Sequence, residues 1–294
     1  MIITYDIPDL LPYINWAYFF FAWNMHNKSG EEQARLRDEA EAALKQVAGR
    51  YHAYALFSLY DAYSDGDDIV VFEGVRSQES GVRRQESGGR RIPCLRQQQP
   101  GSEYLCLSDF ISPQDYSTDS RLLTPDSCLP SPVSQIGVFA TSVSPGLESD
   151  FDDDPYQKMM MQLLADRLAE AAAERMHEEV RKHYWGYAAD EQLSIAEMQQ
   201  ERFQGIRPAV GYPSLPDTSL NFVINDLLDL RQIGIRLTES GAMKPHASVS
   251  GLMMAHPQAH YFSVGKIGAD QLSDYARRRG LPVEVCRKFL AANL

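Results

Sequence analysis

The hydrophobic positions along the chain alternate between two periods. Residues 31–48 (EEQARLRDEAEAALKQVA) repeat apolar positions at helical spacing, carry acids in the first turn, and are followed by Gly49, which predicts an amphipathic helix. Ala53 to Phe72 holds two apolar runs, YALFSLYDAY and DIVVFEG, split by Ser64-Asp65-Gly66-Asp67-Asp68, which predicts two strands around a turn. Ile136 to Val143 reads as a further strand, and residues 101–115 as a short strand and a turn. The strongest helical signal runs from about Tyr156 to Tyr184. There Met160, Leu164, Leu168, Ala171, Ala172, Met176, Val180 and Tyr184 make one apolar stripe behind the acidic lead-in 149–155. Ser219–Gln232, Asp270–Gly280 and Pro282–Leu290 are helical patterns near the C-terminal end.

Some stretches fit neither period. Asp9 to Lys28 is crowded with Tyr13, Trp16, Tyr18, Phe19, Phe20, Phe21 and Trp23, a density that means core or a cofactor wall. RSQESG at 76–81 recurs seven positions later as RRQESG at 83–88, so 76–91 reads as a duplicated, mobile surface insert. Its Arg76, Arg83, Arg84, Arg90 and Arg91 make a basic spot, either a solvated loop or a docking site for an acidic partner. The Pro- and Ser-rich stretch at about 112–134 is the second expected surface insert.

Composition narrows the class. The chain has 294 residues, 44% hydrophobic, with a formal net charge of −12, which fits a globular protein with a sizeable core. The pI of about 5.0 argues against general nucleic-acid binding. The longest apolar run, Trp16 to Trp23, falls far short of the roughly 20 residues of a membrane span, so no membrane association is expected. The N-terminus has no basic leader, and Cys94, Cys106, Cys128 and Cys286 have no metal-site spacing. Reduced thiols and a cytoplasmic location follow as the expectation.

Familiar catalytic signatures are missing. There is no G-x-G, no P-loop and no G-x-S-x-G elbow. His177-Glu178-Glu179-Val180-Arg181 begins like HExxH, but Arg181 stands where zinc needs histidine. No Asp lies two residues before any His, which excludes the DxHxxG signature of cobalamin-binding modules. The remaining chemistry is concentrated in residues 205–217, 238–251 and 256–265. Pro208 and Gly211 constrain the first of these blocks around Arg207, whose guanidinium suits a carboxylate, and Tyr212 and Tyr261 are placed to line the same pocket. Spacing alone fits tight turns with an ordinary surface arginine equally well. On the long helix, Asp166, Glu170 and His177 share a face, which is either a solvated polar face or the wall of a polar site.

These blocks resemble the S-adenosylmethionine-binding activation domain of cobalamin-dependent methionine synthase. RPAxGYPxxPD matches Arg207 to Asp217, TESxAMxPxASVSG matches Thr238 to Gly251, HPxxxYxxV matches His256 to Val264, and DQxxDYARRxG matches Asp270 to Gly280. LADRLAEA at 164–171, RKxYWGYA at 181–188 and a YI-x-WxxFF run at 13–20 extend the resemblance over nearly the whole chain.

The resemblance implies an α+β fold: a C-shaped single domain over 1–294, with a twisted antiparallel β-sheet flanked by helices. It implies S-adenosyl-L-methionine as ligand and methyl donor, cobalamin carried by a partner module of methionine synthase, and a flavodoxin-like electron donor. By matching position, Arg207 is the carboxylate-binding arginine, Tyr261 the ligand-contacting tyrosine with Phe262 beside it, and Glu201 a groove acid for the ligand's ammonium. Pro208, Ala209 and Gly211 belong to the same ligand loop. Asp166, Glu170 and Tyr212 match positions facing the cobalamin, which favours the polar-wall reading of the long helix. Asn15 stands where the family has a ligand-contacting aspartate, and Thr218 where it often has histidine. The expected function is reactivation of cob(II)alamin by reductive methylation, by a free-standing domain acting in trans that cannot make methionine alone. The alternatives are a ligand sensor or scaffold that kept the fold without reactivation, and an excised piece of a longer enzyme. No residue is expected to act as general acid or base.

Overall fold

The computed structural model describes residues 1–72, 89–113, 134–151 and 153–294. In chain order its elements are β1 (Ile2–Asp6), α1 (Ile7–Leu10), α2 (Trp16–Ala22), α3 (Gly30–Val47), β2 (His52–Asp65), β3 (Asp68–Phe72), β4 (Arg90–Pro93), β5 (Ser134–Val143), α4 (Pro155–Glu179), α5 (Ile195–Gln199), α6 (Leu220–Leu228), β6 (Arg236–Leu237), β7 (Met243–Lys244), β8 (Ser248–Met253), α7 (Ala269–Arg279) and α8 (Val283–Phe289). The main sheet has the order β4-β3-β2-β5-β8, with β1 pairing β2. A two-stranded ribbon joins β6 and β7. The β1–β2, β2–β3 and β3–β4 pairings are antiparallel. An α+β fold with an antiparallel sheet and flanking helices is thus what the chain adopts.

The chain divides into two compact units. The first comprises Met1–Ser58, Val138–Phe203 and Asn221–Gly251. Here α3 starts where its sequence has a reciprocal cap: the Ser29 hydroxyl accepts from the Glu32 N–H, and the Glu32 carboxylate accepts from the Ser29 N–H at 3.1 Å. Leu36, Ala40, Leu44 and Val47 form its buried stripe. The long helix α4 begins on Asp154, whose carboxylate accepts from the N–H groups of Tyr156 and Gln157, with Pro155 in the first turn. Its stripe from Met160 to Val180 is buried, and α4 packs against α1, α2 and α3. Tyr184, the last expected member of the stripe, is exposed, because Val180–Tyr184 is a π-turn that takes the chain off the helical period.

His177 does not join Asp166 and Glu170 on an open polar face. It is fully buried, and its Nδ1 accepts from the Arg181 guanidinium at 3.0 Å. Arg181 is itself buried, pairs with Glu191 and lies over the Phe203 ring at 4.3 Å. The aromatic run near the N-terminus is split in the same way: Phe19 is buried, whereas Tyr18 and Phe21 are exposed.

The second unit comprises Leu59–Gly137, Gln204–Leu220 and Leu252–Leu294. The expected hairpin forms, with Asp65 opposite Asp68 at its turn. β4 adds to it and corrects the expectation that the insert reaches residue 91. Arg90 and Arg91 are strand residues, and Arg91 reaches Asp65 at 2.6 Å and Asp68 at 3.0 Å. These internal ion pairs remove Arg91 from the expected basic docking spot. Arg76, Arg83 and Arg84 lie outside the described residues, as does most of the second insert.

Among the described residues 101–113, the expected strand does not form. Leu107–Phe110 is a 3₁₀ turn, because the Asp109 carboxylate accepts the Cys106 N–H and both guanidinium branches of Arg96. A cluster of Leu95, Val264, Ile267, Leu272, Tyr275, Ala276, Cys286 and Leu290 packs α7 and α8 into this unit. Cys94, Cys106 and Cys286 are buried free thiols. Among the described residues, no helix is long and apolar enough to cross a membrane.

Candidate functional site

In the second unit, two blocks far apart in sequence are stitched into one surface. Ile206 and Met254 form an antiparallel bridge, and the Leu252 N–H donates to the Pro208 carbonyl at 3.0 Å. Further along, Val264 N–H donates to Pro213 O, and the Ser214 hydroxyl bonds both backbone groups of Phe262. The Arg207 N–H donates to the Tyr261 hydroxyl at 2.9 Å. Arg207, Pro208, Ala209, Gly211, Tyr212, Tyr261 and Phe262, all expected at the site, therefore belong to one hydrogen-bonded assembly.

Its local turns follow from the residues. Gly211 has φ of +88°, in the left-handed region that glycine occupies at little cost, and its N–H donates to Leu215 O at 2.8 Å. Leu215 N–H donates back to Tyr212 O and Tyr212 N–H to Ala209 O, so the Tyr212 ring is carried on a tight turn and is 53% exposed. Pro208 is buried, while Arg207, Tyr261 and Phe262 are half-buried.

The end of the loop is anchored by a polar cluster that the sequence reading missed. The buried Asp217 carboxylate accepts from Tyr275 Oη at 2.7 Å and Ser219 N–H at 2.8 Å, and faces Arg279 Nε at 3.4 Å. Arg279 also donates to the Ser219 hydroxyl at 2.8 Å. Desolvation, followed by the Asp217 charge, pushes the Tyr275 phenol well above its ordinary value, so it stays a donor. The available signal was the Tyr275 and Arg279 spacing on the α7 pattern, four residues apart on one helical face.

The first unit holds the other expected residues. Asn15 is the N-cap of α2, its side-chain oxygen accepting from Ala17 N–H at 3.2 Å. That bond gives a local reason for a carbonyl-bearing side chain at this position. Glu201 is exposed and has φ of +58°, just beyond α5. Asp166 and Glu170 are half-buried on α4. Burial pushes the Asp166 carboxyl above its usual range, against the opposing pull of His246, whose Nδ1 lies 3.4 Å away.

Comparisons with known proteins identify the family. Residues 6–280 match the family described as "Vitamin B12 dependent methionine synthase, activation domain". A solved structure, "Crystal Structure of the MetH Reactivation Domain bound to AdoHcy", is similar at 35% identity and a TM-score of 0.82, covering 100% of this chain and 90% of that one. The chain therefore belongs to the vitamin B12-dependent methionine synthase activation domains.

Proposed function

We propose that this domain, taken as one unit over 1–294, binds S-adenosyl-L-methionine and presents its methyl group to the cobalamin module of methionine synthase for reductive reactivation. The single observation that carries the reading is the Arg207–Tyr261 link inside a loop locked at both ends, because the Arg207 N–H donates to the Tyr261 hydroxyl and so ties the main chain of the candidate carboxylate-binding arginine to the candidate ligand-contacting tyrosine. The AdoHcy bound by the similar reactivation domain supports the same ligand class.

The reading gives each expected residue a part. Arg207 offers a two-pronged donor for the carboxylate, Glu201 a carboxylate for the ammonium, and Tyr261 and Phe262 aromatic faces that favour a sulfonium cation. Pro208, Ala209 and Gly211 bring backbone close to the ligand, and Asn15 contributes a neutral polar contact. Asp166 and Glu170 in the first unit, and the exposed Tyr212 in the second, are each assigned to contact with the cobalamin module. The ligand and partner together supply the chemistry: one electron from a flavodoxin-like donor reduces cob(II)alamin, and the sulfonium methyl then passes to the cobalt, leaving S-adenosylhomocysteine. The domain itself supplies orientation, so no general acid or base is assigned. A cytoplasmic setting, where thiols such as Cys94, Cys106 and Cys286 stay reduced, belongs to this reading.

The test is a reactivation assay in trans. Purified protein, reduced flavodoxin and methyl-labelled S-adenosylmethionine are added to a cob(II)-loaded synthase that lacks its own activation domain. Label appearing on cobalamin is the expected result. Binding of S-adenosylmethionine without transfer of label overturns the reactivation reading in favour of a ligand sensor or scaffold.

A further inference from the structure

We propose that Glu148, Asp166 and His246 form a binding site for a divalent transition-metal ion of zinc's type. Each residue brings one ligand atom, and the three atoms lie within 4.8 Å of one another. They come from three separate places in the first unit: the turn after β5, the middle of α4, and the stretch between β7 and β8.

The spacing is close to what the ion requires. His246 Nδ1 lies 3.4 Å from Asp166 Oδ1. Two ligands of a tetrahedral zinc, each roughly 2.0–2.1 Å from the metal, are about 3.3–3.4 Å apart. The scaffold is already fixed. Glu148 accepts the His246 N–H at 3.2 Å through Oε2 and the Ala247 N–H through Oε1. Those bonds hold the histidine-bearing segment beside the glutamate, while each carboxylate oxygen keeps a lone pair for an ion. Asp166 sits on a rigid helix, and the His246 side chain is 90% exposed, so the imidazole turns to an incoming ion without moving the core.

The ligand set selects the ion. One imidazole and two carboxylates suit zinc, cobalt or nickel, whereas calcium and magnesium prefer about six or more oxygens. The two carboxylates carry two negative charges, which a divalent ion neutralises. The site shares Asp166 with the residues assigned above to the cobalamin module, and its test needs neither that module nor S-adenosylmethionine.

The experiment is a zinc titration of the full chain in competition with a chromophoric chelator, paired with cobalt substitution. One equivalent of zinc is expected to bind with a micromolar or tighter Kd, unaffected by millimolar magnesium. His246→Ala and Glu148→Gln are each expected to weaken it by about tenfold or more. Cobalt(II) is expected to give a tetrahedral visible spectrum that His246→Ala removes. Failure to bind at submillimolar zinc, or binding and a cobalt spectrum unchanged in His246→Ala and Asp166→Asn, overturns the proposal. Because His246 is exposed, its variant folds and the comparison stays valid.

Discussion

The hydroxyl of Tyr261 accepts the backbone N–H of Arg207 at 2.9 Å, joining residues 54 positions apart in the chain. The bond fixes the main chain from which the guanidinium projects, so under the proposed function Tyr261 acts on the Arg207 loop as well as on the ligand. Replacing Tyr261 by Phe keeps the ring and removes the acceptor. The loss of one hydrogen bond of about 1 kcal/mol corresponds to about a fivefold weaker affinity for S-adenosylmethionine, read by calorimetry.

Gly211→Ala tests the turn that carries Tyr212. A side chain at φ of +88° costs about 1–2 kcal/mol, so a comparable fall in unfolding free energy is expected by urea titration. A shift of the Tyr212 turn also weakens any partner contact made through its exposed ring.

Asp217→Asn tests the loop's anchor. The substitution leaves the Arg279 guanidinium facing no buried charge, and breaking a buried pair costs about 3 kcal/mol. Urea unfolding should show that loss. Tyr275→Phe, which keeps the ion pair and removes only the 2.7 Å hydrogen bond, should cost about a third as much.

Acid stability is set in part by Asp109. Burial works against its charge, but the two-pronged bond from Arg96 and the Cys106 N–H outweigh it and hold the carboxyl below its usual value. A depressed folded-state pKa gives stabilisation that is present above the unfolded value of about 3.9 and is lost as pH falls through the folded one. Unfolding midpoints followed from neutral to acid pH should therefore fall more steeply below about pH 4 in the natural protein than in Asp109→Asn.

Much of this fold was legible in local pattern. The acids of the first turn and the apolar spacing within residues 31–48 mark α3, and the two apolar runs split by Ser64-Asp65-Gly66-Asp67-Asp68 mark the hairpin. The errors arose where tertiary partners override local signal. Arg90 and Arg91 look like a continuation of an arginine-rich repeat, yet Asp65 and Asp68 recruit Arg91 into a strand. Residues 107–110 have strand-like composition, but the reach of Asp109 to Cys106 and Arg96 closes them into a turn. His177 shares helical spacing with Asp166 and Glu170, but burial against Arg181 and Phe203 separates its role from theirs. At the site, motif order identified Arg207 and Tyr261. The contact between them, and the Asp217 anchor, depend on chain segments whose meeting no single-residue pattern encodes.

The most direct test is isothermal calorimetry of S-adenosylmethionine and S-adenosylhomocysteine with the natural protein and Arg207→Ala. The account predicts one-to-one binding of both ligands, weakened at least about tenfold by the substitution, since a charge-assisted carboxylate contact is worth roughly 1.5–3 kcal/mol. No binding by the natural protein, or equal binding by both proteins, would contradict it.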